Sequence, residues 1–168
     1  MKQIPHILFT LIFLLFSPLA LAAELLWPDK IEYINPNTSA TGWLQTHENA
    51  GGHTIERHIN KPDDYLINRV NNGNINEASS FLSLSLAEQI LALGLWENIN
   101  DLAQWMNDDD APDRLVIEVD DPTIVGKGVR RGQNKTTPRY GARIVLQKTK
   151  NKKTAYILTA YPSQRSPK

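Results

Sequence analysis

Arg143-Ile-Val-Leu-Gln-Lys148 and Tyr156-Ile-Leu-Thr-Ala-Tyr161 flank the polar segment Lys150-Asn151-Lys152-Lys153. Both runs are dense in β-branched and aromatic residues, so they read as a hairpin closed by that turn. In the second run, alternation puts Thr159 and Tyr161 on one face and Leu158 and Ala160 on the other. Upstream, Leu115, Ile117 and Val119 recur at the spacing of a half-buried strand. Ile124 to Val129 reads as another strand, interrupted by Gly126 and Gly128.

The preceding residues carry helical patterns instead. A short helix is expected over Trp43 to Glu48, stopped by Gly51-Gly52. A second turn begins at Thr54, carries His58 and is ended by Pro62; Asp63 or Asp64 then caps a third helix with Leu66 and Val70 on one face. Asn71 to Asn76 reads as a turn. Ser85-Leu86-Ala87-Glu88 has the pattern of a capping box opening a helix toward Leu95. Ile99, Leu102, Ala103 and Met106 mark one more buried helical face, and Trp96 and Trp105 in these helices read as core or partly buried residues. Helices first and strands afterwards predict an α+β domain of short N-terminal helices followed by a curved, mainly antiparallel sheet.

At the N-terminus, Lys2, the apolar run Ile7 to Phe16 and the small residues Ala20-Leu21-Ala22 have the form of a secretory signal peptide. Even extended to Ala23 the run is short for a membrane anchor and then carries Pro18, so residues 1–22 are expected to be cleaved, after Ala22 or Ala23, leaving no stable anchor. Residues 23–40 read as an irregular lead-in with Trp27 and Tyr33 as anchors, and residues 41–168 as one domain. The sequence holds no cysteine, which excludes disulfides, thiolate catalysis and a cysteine-ligated zinc.

The formal net charge of zero hides a division. Glu24 to Asp121 contains 18 acidic and five basic residues, whereas Pro122 to Lys168 contains 12 basic and no acidic ones. Lys127, Arg130, Arg131, Lys135 and Arg139 cluster in a Gly/Thr-rich stretch, which points to a polyanionic partner. The alternative is that two oppositely charged halves neutralise each other within the fold.

Three of the four histidines, His47, His53 and His58, fall within twelve residues, and Arg69 follows eleven after the last. Histidine exchanges protons near neutral pH and arginine matches phosphate, so the pair suggests acid–base chemistry on a phosphate ester. Zinc is the competing reading. The His47–His53 spacing is longer than the zincin pattern and Gly51-Gly52 breaks the helix that would align the ligands, so no metal or other cofactor is expected. His53 is expected to bond backbone near the glycine turn or to support His58, and His47 with Glu48 to brace the same corner. Taken alone, Thr159 and Tyr161 read as ordinary strand residues.

The series His-Glu-x-x-Gly-Gly-His-Thr-Ile-x-x-His (His47 to His58) and Leu-x-x-Arg (Leu66 to Arg69) resembles a known family. So do Ala78-Ser79-Ser80-Phe81, Ile124-Val125-Gly126-Lys127-Gly128 and Leu158-Thr159-Ala160-Tyr161-Pro162. The family is the bacterial ribonuclease A-like toxin domain found at the C-termini of contact-dependent growth-inhibition proteins, and the similarity runs from Thr41 to Pro162. It implies a ribonuclease A-like fold without disulfides and an active site of His58, Arg69, Thr159 and Tyr161; Lys127, Arg130 and Arg131 of the basic cluster are expected to bind the substrate. The implied activity is metal-independent RNA cleavage to a 2′,3′-cyclic phosphate. Its implied partners are RNA and a cognate inhibitor protein, and the protein is expected to be a monomer. The leader implies a periplasmic or secreted enzyme, or a toxin acting in the cytoplasm of a target cell. The alternative is a nucleic-acid-binding module that uses the basic half without cleaving.

Overall fold

The computed structural model describes residues 42–152 and 154–164. The leader, the lead-in with Trp27 and Tyr33, and the extreme C-terminus lie outside the described residues.

Five helices and six strands are seen among them. Helices α1 (Leu44–Asn49), α2 (Thr54–His58) and α3 (Asp63–Asn72) come first, then strand β1 (Glu77–Phe81), then α4 (Leu84–Glu97) and α5 (Ile99–Asn107). Strands β2 (Arg114–Asp120), β3 (Gly126–Arg130), β4 (Thr137–Arg139), β5 (Gly141–Lys148) and β6 (Ala155–Ser163) follow. The strands divide into two antiparallel three-stranded sheets, in the orders β1-β3-β4 and β2-β5-β6. The class is α+β, with β1 set inside the helical half.

The main core lies between the α4–α5 pair and the inner face of the β2-β5-β6 sheet. Leu91, Leu95, Ile117, Val119, Ile144 and Ile157 are buried there. Gly94 lets helix and sheet meet, since a Cβ at that position would lie 3.0 Å from both Ile144 and Val119 side-chain atoms. A smaller cluster of Leu66, Val70, Ala78 and Val129 packs α3 onto the other sheet. Trp105 is buried and Trp96 half-buried.

Four local expectations are corrected. Helix α2 stops at His58 rather than at Pro62, because Ile59 turns extended and bridges to Phe81. Pro62, not an aspartate, precedes α3, and Asp63 and Asp64 occupy its first turn, where negative charge also suits the helix dipole. Ser83 rather than Ser85 caps α4, accepting from Leu86 N–H at 3.2 Å. Glu88 makes no capping box: its buried carboxylate reaches back to accept the Gly42 and Leu44 N–H groups at 2.8 to 2.9 Å.

Part of the charge division is spent in ion pairs within the fold. Lys127–Asp63, Arg130–Glu77, Arg139–Glu77, Arg143–Glu118 and Lys152–Asp113 each join the basic half to the acidic one. Arg139, expected in a loop-like basic cluster, is 1% exposed and belongs to β4. Its guanidinium donates to Glu77, to Thr137 and to the Pro138 carbonyl. Gly128 is needed beneath it, because a Cβ there would sit 2.9 Å from the guanidinium. No helix among the described residues is long and apolar enough to cross a membrane.

Candidate active site

Strand β6 pairs with β5 along one edge, and its other edge is covered by the histidine-rich segment and β1. Ile157 N–H donates to His47 Nδ1 at 3.1 Å, and Ala160 N–H donates to Thr54 Oγ1 at 2.9 Å. The Leu158 carbonyl accepts from His53 N–H at 3.0 Å, and the Pro162 carbonyl from Ser79 Oγ at 2.8 Å. These bonds satisfy an otherwise open strand edge. They also explain Gly-Gly-His-Thr. Gly51 takes a φ of 115°, and a Cβ on Gly52 would lie 2.6 Å from the Ile157 carbonyl oxygen. Glu48 completes the corner by accepting from the Ile55 and Glu56 N–H groups.

A register shift between Val145 and Leu146 makes Leu158 a bulge, leaving Val145 opposite Thr159 and Arg143 opposite Tyr161. Bulges bend a strand and re-aim its side chains. Here Thr159 and Tyr161 line a cleft of about 660 Å³ together with His53, His58 and Arg69. Glu77, Glu118, Arg130 and Arg143 add further charged groups to its lining. The His58 and Tyr161 rings lie 5.4 Å apart at 35°.

His58 is held by its Nδ1, 2.9 Å from the Ser79 carbonyl. A carbonyl only accepts, so Nδ1 carries the proton and the Nε2 lone pair is left for chemistry. Burial, against the pull of that carbonyl and helped by the positive charges of Arg69, His53 and Arg57, lowers the His58 pKa to about 4. The ring is therefore neutral at physiological pH. Arg69 comes from the last turn of α3 and donates to the Arg57 carbonyl at 3.3 Å. No carboxylate among the described residues pairs with it. Thr159 Oγ1 is buried and has no hydrogen-bond partner among the described residues.

The remaining residues singled out from sequence separate. His53 lines the cleft, with its pKa lowered by burial and then by Arg57; its backbone, not its ring, bonds the strand. His47 is not part of the cleft lining and accepts from Ile157 N–H. The three histidines thus do not converge, and among the described residues no group of three His, Asp or Glu side chains could hold a metal ion. Arg130 lines the cleft, whereas Lys127 pairs with Asp63, and Arg131 donates to the Gly73 and Ile75 carbonyls. Glu118 and Arg143 were missed from sequence. Their only signal was polar residues on the same face of adjacent strands as Tyr161, which needs the register to be seen.

Residues 52–162 match the bacterial CdiA-CT RNAse A domain. Among solved structures, that of a CdiA-CT/CdiI complex from Y. kristensenii is similar, with a TM-score of 0.61 and 28% sequence identity. The similarity covers 67% of this chain and 99% of that one. No curated protein matches. The chain belongs to the CdiA-CT RNAse A family of ribonuclease toxin domains of contact-dependent growth inhibition.

Proposed function

We propose that the chain is a metal-independent endoribonuclease that cleaves RNA by attack of the ribose 2′-hydroxyl on the adjacent phosphate, and acts as an antibacterial toxin. The observation that carries this reading is the meeting of His58, Arg69, Thr159 and Tyr161 in one cleft. His58 Nε2 takes the 2′-hydroxyl proton, the 2′-oxygen bonds to phosphorus, and the bond to the 5′-oxygen breaks. That oxygen takes a proton as it leaves, giving a 2′,3′-cyclic phosphate and a free 5′-hydroxyl. Arg69 stabilises charge on the phosphoryl oxygens with charge-assisted bonds. Thr159 and Tyr161 donate further hydrogen bonds to them, and the unpartnered Thr159 hydroxyl suits that role. Arg130, which lines the cleft, serves the flanking RNA backbone, together with Lys127 and Arg131 of the same basic stretch once they exchange their partners in the fold for phosphate.

The similar Y. kristensenii structure holds CdiA-CT with CdiI. By that likeness this chain has a cognate inhibitor, which protects the producer while the toxin acts in a target cell. The deciding experiment incubates purified protein with total RNA and excess chelator, then maps the ends. Cyclic phosphate termini are expected. Intact RNA that still binds the protein would favour a non-catalytic binding module, and cleavage abolished by the chelator would remove metal independence.

A further inference from the structure

Glu118, Arg143 and Tyr161 form one row across three strands. Glu118 stands opposite Arg143 between β2 and β5, and Arg143 stands opposite Tyr161 between β5 and β6. All three line the cleft. Directly opposed side chains on one face of an antiparallel pair have Cβ atoms roughly 5 Å apart, within reach of a long side chain. Glu118 accepts from Arg143 Nε, which fixes the guanidinium and leaves its remaining nitrogens for the neighbour. Glu118 first and Tyr161 next hold the Arg143 pKa above its ordinary value. On its other side the Tyr161 ring lies against His58.

A guanidinium has five donors and no acceptor, so a hydrogen bond between its N–H groups and a phenol oxygen that accepts them runs from the arginine to the tyrosine. The phenol proton is then directed away from the arginine. A phenol without such a neighbour has two in-plane positions for that proton.

We propose that Arg143, braced by Glu118, is a positioning residue that donates to the Tyr161 oxygen and so aims the phenol O–H at the phosphate. The inference rests on the ribonuclease reading of the site. Arg143 acts through Tyr161, not on RNA, so its contribution vanishes when the phenol is removed.

A double-mutant cycle reads this directly. Cleavage of a fluorophore-labelled, mixed-sequence single-stranded RNA is compared for wild type, Arg143→Met, Tyr161→Phe and the double variant. Arg143→Met is expected to lower kcat roughly ten- to hundred-fold with KM little changed, but less than about twofold in the Tyr161→Phe background. The Arg143 side chain is 47% exposed, so its removal should leave the melting temperature near that of wild type. Arg143→Lys, which keeps a cationic donor, should restore part of the rate. Additive losses in the cycle would mean that Arg143 grips RNA itself, and the proposal falls. Binding of inorganic phosphate to the same four proteins, followed by NMR, repeats the cycle without turnover. Coupled phosphate losses in proteins that cleave nothing would retain the Arg143 assignment and remove the ribonuclease reading. Uncoupled ones would remove the assignment, and a wild type that neither cleaves RNA nor binds phosphate would remove both.

Discussion

His47 and His58 lie eleven residues apart, both buried, and burial lowers both to about 4. Their hydrogen bonds run in opposite senses. His47 Nδ1 accepts a strand N–H, so its proton is on Nε2, which is buried with no hydrogen-bond partner among the described residues, while the ring meets Trp43 edge-to-face. His58 Nδ1 donates to a strand carbonyl, so its free lone pair is on the ring nitrogen left for the cleft. One ring closes a sheet edge and the other presents a base. A shifted pKa therefore did not distinguish them; the bonded partner did.

The largest test of this contrast is substitution of each ring. His58→Ala should cost about 10³- to 10⁴-fold in RNA cleavage while the protein remains folded by circular dichroism. Near-normal turnover in the folded variant would end the assignment. His47→Ala should do the reverse, losing about 2–4 kcal/mol in urea unfolding because a strand N–H is orphaned and a cavity opens. What folds should retain most activity per molecule.

Acid should expose the two rings together. Well above pH 6.5 both are neutral in the folded and unfolded chain and contribute nothing to pH dependence. As pH falls from 6.5 toward about 4, the unfolded chain takes up protons that the folded one refuses, so stability drops and then levels. The two sites together should account for a loss on the order of 5 kcal/mol, with His47→Ala flattening its share of the slope. A pH-independent unfolding free energy across this window would break the comparison. In kcat/KM the His58 limb should have its midpoint near pH 4, far below that of an exposed histidine.

The arginines sharpen the same lesson. Arg139 is buried on a carboxylate and carbonyls, whereas Arg69 faces the cleft without a carboxylate partner among the described residues. Arg69→Lys should lower cleavage about 10²-fold at unchanged melting temperature, since an ammonium lacks the planar fork. Equal rates for the two proteins would argue against phosphate contact there. Thr159→Val should be the mildest change: about tenfold slower cleavage, with stability unchanged or raised by up to about 1 kcal/mol. The reason is that the lost hydroxyl has no hydrogen-bond partner among the described residues. A clear loss of stability would show that the hydroxyl supports the strand instead.

Much of the architecture was legible because it rests on local periodicity. The β5–β6 hairpin, β2 and the α5 face all follow from short-range spacing. Strand β1 was not, because Ala78, Ser79 and Ser80 are small and polar enough to carry no strand signal; their burial comes from β3 on one side and β6 near its end. Strand β4, three residues with Pro138 at its centre, hides for the same reason. Glu88 shows a converse failure. Its spacing imitates a capping box, but a buried carboxylate takes the strongest donors within reach, and those belonged to Gly42 and Leu44, more than forty residues away.

By itself the sequence determined the helical and extended periods, the absence of thiol chemistry and a set of residues resembling a family's site. Which edge of β6 meets the histidine segment was decided only by the tertiary structure, as was the bulge that sets Thr159 and Tyr161 facing His58. Positions 58 and 159 are 101 residues apart in the chain. The physical reason is one of range: a side-chain period is imposed by neighbouring backbone sterics. Whether a polar group ends up bonded, paired or left facing a cleft depends instead on which distant donors and acceptors the packed core brings beside it.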